Sequence, residues 1–456
     1  MAASIRDFHS GLYLEHLEEA SFLYEQRLAY LHDPELTWLD LEDFEERFEA
    51  HVDALVVGAD LALEVCADRA REGDFGELHA AMRVFCRQAS RERGYTVLRD
   101  IDTADRAATR AAADALQADC PAAWLDELPR ILARHPRLAP VLACALGARR
   151  VKSAVPALVE VLGTAAGQDA ACMLWALGRT GDGASAVAVE KHVGSDDPEV
   201  SAAAACAAIR LGQYQPVRYA LLAAQARPWL SATLALGGDR AGVNVLVERA
   251  SKDRVTDDVL IGLGLLGDLT AVRAVFDCLA IPERAPAAAT ALQLITGAEL
   301  YEEVFAPEEV DPDELFDEER ERYEATGEPP KRADGQPFGS MMVQPVTDQS
   351  AWKDWLSANK SRFDRERRYR YGEPYSPRAL LRTLLAERVP NRIRALVCDE
   401  LLVRFGLDFP MEIDMPVIEQ KRRLARLAEW VQVNESRFEP GEWYFHGRRL
   451  SAEAAR

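Results

Sequence analysis

Between about residues 126 and 300, apolar residues recur at three- and four-residue spacings in segments of about ten, and most segments end in glycine. The endings are CALG at Gly147, WALG at Gly178, IRLG at Gly212, LALG at Gly237, LGLLG at Gly267 and LITG at Gly297, separated by 31, 34, 25, 30 and 30 residues. A near-constant period of that size marks stacked supersecondary units. Each glycine is placed where a helix should stop, because glycine enters the left-handed conformation of a helix C-terminus without a Cβ clash. After Gly178 the pattern predicts one helix from about Ala184 to His192. Asp197 then caps a second, with Pro198 in its first turn and EVSAAAACAAIRL running to Gly212. One unit is therefore two short antiparallel helices, and the Ala-rich second helix lets its neighbours approach closely. The predicted fold class is all-α, an α-solenoid of short helix pairs.

The helical pattern continues on both sides. Ser376 and Pro377 open PRALLRTLLAE, Pro390 opens NRIRALVCDELLVRF, and Gly406 closes it, which predicts a further pair. A last helix, about Pro416 to Val431, places Ile418, Leu424, Leu427, Ala428 and Val431 on one face. Near the N-terminus, Leu41, Phe44, Phe48, Val52, Leu55, Ala59, Ala62 and Cys66 step by three or four along one long helix. Its predecessor, about Tyr13 to Leu31, packs against it if the turn His32 to Leu36 reverses the chain. The pattern leaves open whether this region is a regular repeat or a bundle-like cap. Periodicity lapses between Tyr301 and Gln349, where an acidic stretch is followed by a Gly, Pro and polar run, read as an acidic, partly disordered or loosely helical insertion. The predicted division is thus 1–125, N-terminal helical region; 126–300, central repeats; 301–350, insertion; and 351–456, C-terminal helical region.

The stretches DDPEVSAAAACAAIRLG (Asp196 to Gly212) and VKSAVPALVEVLG (Val151 to Gly163) resemble the HEAT-repeat class. The likeness is to its short bacterial form, related to the phycobilin-lyase-type repeats and shorter than the usual HEAT unit of about 40–47 residues. Four stretches carry a second resemblance over nearly the whole chain: HLEEASFLYEQRL (His16 to Leu28), ERFEAHVDAL (Glu46 to Leu55), the Leu-Gly-ended repeats, and RYRYGEPYSPRALL with NRIRALVCDELLVRFG. With these the chain is similar to an uncharacterised family of bacterial HEAT-repeat proteins whose genes often lie near type VI secretion clusters. That resemblance implies a cytoplasmic accessory to a contractile secretion apparatus: an adaptor, a chaperone for secreted cargo, or an immunity protein. It carries no catalytic residues.

Charge narrows the partners. With 75 Asp and Glu against 54 Lys and Arg, a net charge of −21, the molecule repels phosphate backbones, so no nucleic acid is expected. The start shows no signal-peptide pattern, and no window approaches the length of an uncharged apolar span, which predicts a cytoplasmic protein without a membrane span. The eight cysteines are scattered without Cys-x-x-Cys spacing and read as reduced, buried side chains. No histidine belongs to a zinc-like cluster, and His51 reads as a hydrogen-bonded core or boundary residue. No nucleophile elbow, phosphate loop or dinucleotide fingerprint is present, so neither a cofactor nor an enzyme is expected.

Two stretches remain as candidate sites. DPDELFDEE, within the acidic run, has the carboxylate density of a calcium loop but lacks its sharp-turn glycine and ligand order. It reads as a solvated acidic loop, or as an acidic docking strip anchored by Phe305, Phe316 and Tyr323. The segment from Ala351 to Arg378 interleaves arginines with aromatics, the residue types enriched at binding hot spots. It nominates Trp352, Trp355, Arg367, Arg368, Tyr369, Arg370 and Tyr371 as partner-binding. The alternatives are that its aromatics pack onto the solenoid while its arginines pair with the acidic insertion, or that it stacks nucleic-acid bases. The expected function is a protein-binding scaffold or adaptor, an accessory to secretion that holds an effector or spike component. An immunity protein neutralising a basic toxin is the alternative. A lyase or a helical-repeat glycosylase is the enzymatic alternative, the latter opposed by the charge.

Overall fold

A computed structural model describes residues 5–450, apart from 32, 34, 224–226, 228, 252–254, 309, 311, 313–314, 333–334 and 408–410. The chain is a predominantly helical, solenoid-like stack with a few short strands. One layer of the stack holds the helices Phe75–Arg87, Arg106–Asp119, Ala139–Ala148, Gly167–Thr180, Pro198–Arg210, Leu230–Gly237, Asp257–Leu266 and Ala285–Thr296, each packed on the next. The helices Arg91–Asp100, Leu128–Arg134, Val155–Leu162, Ala186–Glu190, Gln215–Leu222, Arg240–Ala250 and Val272–Cys278 line the other side. Short carboxylate and hydroxyl caps start several of them. The Asp197 carboxylate accepts from the backbone N–H groups of Glu199 and Val200, and Asp105 and Thr256 cap their helices in the same way.

The recurring glycines do two different jobs. Gly212, Gly267, Gly297 and Gly406 sit at φ of +79°, +70°, +58° and +70° and end their helices as predicted. Gly147 and Gly178 instead lie inside helices that run on to Ala148 and Thr180. A Cβ on Gly147 would stand 2.7 Å from the Cα of Ala176, and one on Gly178 2.8 Å from the Cα of Ala207. Those glycines exist for contact with the next helix, not to stop their own. The helix expected to stop at Gly178 thus stops at Gly181, φ +65°, after Thr180.

The predicted long N-terminal helix is two helices, Glu42–Val57 and Ala59–Glu72. The chain breaks at Gly58 because Tyr13 presses there, 2.6 Å from where a Cβ would be, and Ala59 takes φ +49°. The reversal at His32 to Leu36 includes residues 32 and 34, which lie outside the described residues. Helix Ile5–Tyr30 packs on Glu42–Val57 and on Phe75–Arg87, so the N-terminal region continues the stack as a small bundle.

The C-terminal region is built from helices Gln349–Asn359, Pro377–Leu385, Asn391–Phe405 and Val417–Asn434. The last helix buries Val417, Gln420, Leu424, Leu427 and Val431, whereas the predicted Ile418 is half exposed. This lobe shares one core cluster with Leu31, Trp38 and Leu41 near the N-terminus and with Ala235, Ile261, Leu265 and Leu294 of the repeats. Arg27 also donates to the Asp414 carbonyl, and the N–H of Val417 donates to the Glu45 carboxylate. The lobe thus touches both the first helix and Ala285–Thr296. Among the described residues, no helix is long and apolar enough to cross a membrane.

Candidate protein-docking surfaces

The Trp/Arg/Tyr segment turns inward. Trp352, Arg368, Tyr369 and Arg370 are 0%, 1%, 3% and 0% exposed, so four of the seven nominated residues cannot meet a partner without opening the fold. Tyr371 and Trp355 are half-buried, and Arg367 is exposed. Of the alternatives, the packing one is right about the aromatics, but the buried arginines do not pair with the insertion. Their partners are the carboxyl ends of the repeat helices.

An α-helix leaves its last four carbonyls without intrahelical donors, and its C-terminus carries partial negative charge. Arg368 and Arg370 both donate to the Leu265 carbonyl, at 3.2 and 2.9 Å, and Arg404 donates to the carbonyls of Ala235 and Gly238. The backbone N–H of Tyr369 donates to Gly267, that of Tyr371 to Leu294 and that of Gly372 to Ile295, while a His446 ring nitrogen lies 2.8 Å from the Ile209 carbonyl. Four successive repeat ends are closed in this way. Arg370 also forms an ion pair with Glu400, 2.9 Å, in which neither side chain is exposed, and the Tyr375 hydroxyl donates to the same carboxylate at 2.7 Å. Arg368 is held between aromatic faces, 3.5 Å from the Tyr375 ring centre and 4.3 Å from that of Trp443. Burial pulls its guanidinium down to about 9, which still leaves it charged at neutral pH. This is the chemistry of a clamp that holds the fold.

The insertion supplies the opposite picture. Tyr301–Pro307 pairs antiparallel with Gly339–Pro345, with Glu303 opposite Val343 and Phe305 opposite Met341. Alternation puts these four side chains on one face of the ribbon, and Phe305, Met341 and Val343 are 43%, 58% and 45% exposed. Beyond the ribbon, helix Asp317–Thr326 buries none of its residues, and Phe316 at its start is 80% exposed. Tyr323, the third predicted anchor, is half-buried. Residues 301–346 contain fourteen acidic and four basic side chains, so this tenth of the chain holds ten of its 21 net negative charges. Several carboxylates of the calcium-like run, Asp311, Asp313 and Glu314, lie outside the described residues.

Ribbon-face residues Met341 and Val343 escaped sequence reasoning. Their strand partners lie about forty residues away in the chain, and MMV offers no clean alternation to read. Elsewhere, the His16 and His51 Nδ1 atoms lie 3.0 Å apart between helices, which makes His51 a boundary residue bonded to another imidazole. Among the described residues, no group of three or more His, Cys, Asp or Glu is placed to hold a metal ion. All eight cysteines are free thiols. No protein-family model matches the chain, and no curated protein matches it.

Proposed function

We propose that this chain is a protein-binding scaffold whose docking element is the acidic excursion formed by residues 301–346. One observation carries the reading: an exposed ribbon face of Phe305, Met341 and Val343 and an unburied helix begun by Phe316 stand together in the most acidic stretch of the molecule. Apolar anchors within a charged rim are how interfaces concentrate affinity. The Trp/Arg/Tyr segment is largely buried against the repeats, so the excursion takes over the binding role first assigned to it. The resemblance to secretion-linked HEAT-repeat proteins supports a place as an accessory to a contractile secretion apparatus, holding an effector or spike component. The concentration of negative charge supports a second reading, an immunity protein that covers a basic toxin.

The test is affinity capture of the tagged chain from its native cytoplasm, as wild type and with residues 308–338 replaced by a two-residue turn. A secretion spike, effector or toxin recovered only with the intact chain is the expected result. Rescue of cells expressing a toxin encoded beside this gene separates immunity from adaptor. Equal recovery with both chains, and with a full chain carrying Phe305→Ser/Met341→Ser/Val343→Ser, removes the excursion from the binding surface.

A further inference from the structure

Between the neighbouring helices Arg91–Asp100 and Leu128–Arg134 lies a groove of about 230 Å³, well away from the excursion in sequence and floored by Tyr95, Leu98, Ile131 and Leu138. Its rim is cationic, with Arg99, Arg134 and Arg137 all exposed. Arg134 makes no ion pair among the described residues, and Arg137 spends its guanidinium on the carbonyls of Leu98, Arg99 and Ile101, with no carboxylate. Asp100 pairs with Arg99, and its carboxylate also feels the charge of Arg137, which leaves Arg134 as the rim guanidinium without a carboxylate among the described residues. An apolar floor rimmed by three arginines with one carboxylate, Asp100, shared between two of them is out of character for a molecule of net charge −21. It is suited to an acidic segment that carries one bulky apolar side chain.

The chain itself carries that segment. Phe316 is 80% exposed, and the helix it starts bears Asp317, Glu318 and Glu319 in its first turn, with Glu321 and Glu324 following. We propose that the groove receives the Phe316 side chain and acidic first turn of a second copy, so that the protein self-associates through its excursion. The ring would lie on Leu98, Ile131 and Leu138, and the carboxylates would face Arg134 and Arg99. Net repulsion between copies does not forbid this, because screening beyond roughly 8 Å at physiological salt leaves the local pairing to decide. Reciprocal exchange closes a two-fold dimer, whereas one-way insertion builds open chains. The inference rests on the excursion being a docking element, as proposed above. A wild-type chain that never self-associates yet captures a foreign partner through the excursion would sink this inference alone.

Sedimentation equilibrium of the full chain from low to high micromolar concentration is the direct measurement, with a labelled peptide of residues 308–326 as a second probe by fluorescence anisotropy. The expected result is a mass that rises with concentration, and peptide binding that weakens at least about tenfold in Arg99→Glu/Arg134→Glu and for a Phe316→Ala peptide. Chains carrying Arg134→Glu should regain association when mixed with chains carrying Asp317→Lys/Glu319→Lys, since the reversed charges again complement each other. Circular dichroism of each variant, expected to match wild type, guards against loss of fold. A chain that stays monomeric at every concentration and ignores the peptide overturns the proposal. So does peptide binding that the groove variants leave unchanged. Binding of dodecanoate without the peptide overturns it in favour of a carboxylate amphiphile.

Discussion

Three arginines, Arg368, Arg370 and Arg404, are carried into an interior where Glu400 is, among the described residues, the one carboxylate bonded to any of them. They are tolerated there because helix C-termini supply carbonyls and partial negative charge at the positions their guanidiniums reach. Glu400 is the weak point of this arrangement. Glu400→Gln should cost about 3–5 kcal/mol, since it leaves Arg370 charged, buried and unpaired, and a urea unfolding curve would read the loss. His79 carries a second consequence. It is stacked 3.7 Å from the Tyr24 ring, and burial, helped by Arg83, holds its imidazole well below the ordinary value of 6.5. The unfolded chain binds a proton that the folded one refuses, so this contribution is complete above about pH 6.5 and is lost as pH falls below it. Urea midpoints should therefore drop between pH 7 and 5, and drop less in His79→Gln. Comparing the two isolates the imidazole, because Glu45, Asp114 and Glu412, raised by burial, titrate with the opposite sign in both chains.

At the scale of the element, the repeat was plain in the sequence and the job of each glycine was not. Gly178 and Gly212 end look-alike LG motifs, yet one is a helix interior pressed on Ala207 and the other a left-handed stop. A one-dimensional period records that small residues recur, but the neighbour they make room for belongs to the next unit. Substitution separates the roles. Gly178→Ala gains helix propensity of about 0.8–1.0 kcal/mol, but its new methyl would stand 2.8 Å from backbone in the adjacent helix. Overpacking of that kind typically costs about 1–3 kcal/mol, so net destabilisation on the order of 1 kcal/mol is expected in thermal or urea unfolding. Gly183→Ala, with nothing within 4 Å of the added carbon, should be close to neutral. Equal effects at both positions would mean that adjacent helices have room to move apart. The broken N-terminal helix was illegible for the same reason. Leu41 to Cys66 keep their apolar spacing through Gly58, and only the Tyr13 ring, from another helix, shows why the axis changes there.

The candidate site was legible in composition and misplaced in space. Arginine among aromatics describes a hot spot and a helix-capping clamp equally well, because the carbonyls that decide between them belong to Leu265, Ala235 and Gly238, more than a hundred residues earlier in the chain. The same clamp governs the whole molecule. A free solenoid is close to a one-dimensional stack, in which each unit is stabilised mainly by its neighbours and the ends can fray alone. Here the lobe bonds to Arg27 and Glu45 at one end, pairs Arg179 with Glu412 and Arg210 with Asp399 in the middle, and caps Leu294 and Ile295 at the other. Those links tie distant repeats to one another, so the full chain should unfold in a single transition. Cutting the chain after residue 300 would uncover the apolar surface of Ala235, Ile261, Leu265 and Leu294 and free the carbonyls that the arginines hold. Such a fragment is expected to unfold at lower urea, over a broader range and with a tendency to aggregate, whereas removing residues 308–338 should leave the midpoint nearly unchanged. If the fragment instead unfolds as sharply and as late as the full chain, the lobe is an appendage to a self-sufficient stack, and the buried arginines stabilise only their own surroundings.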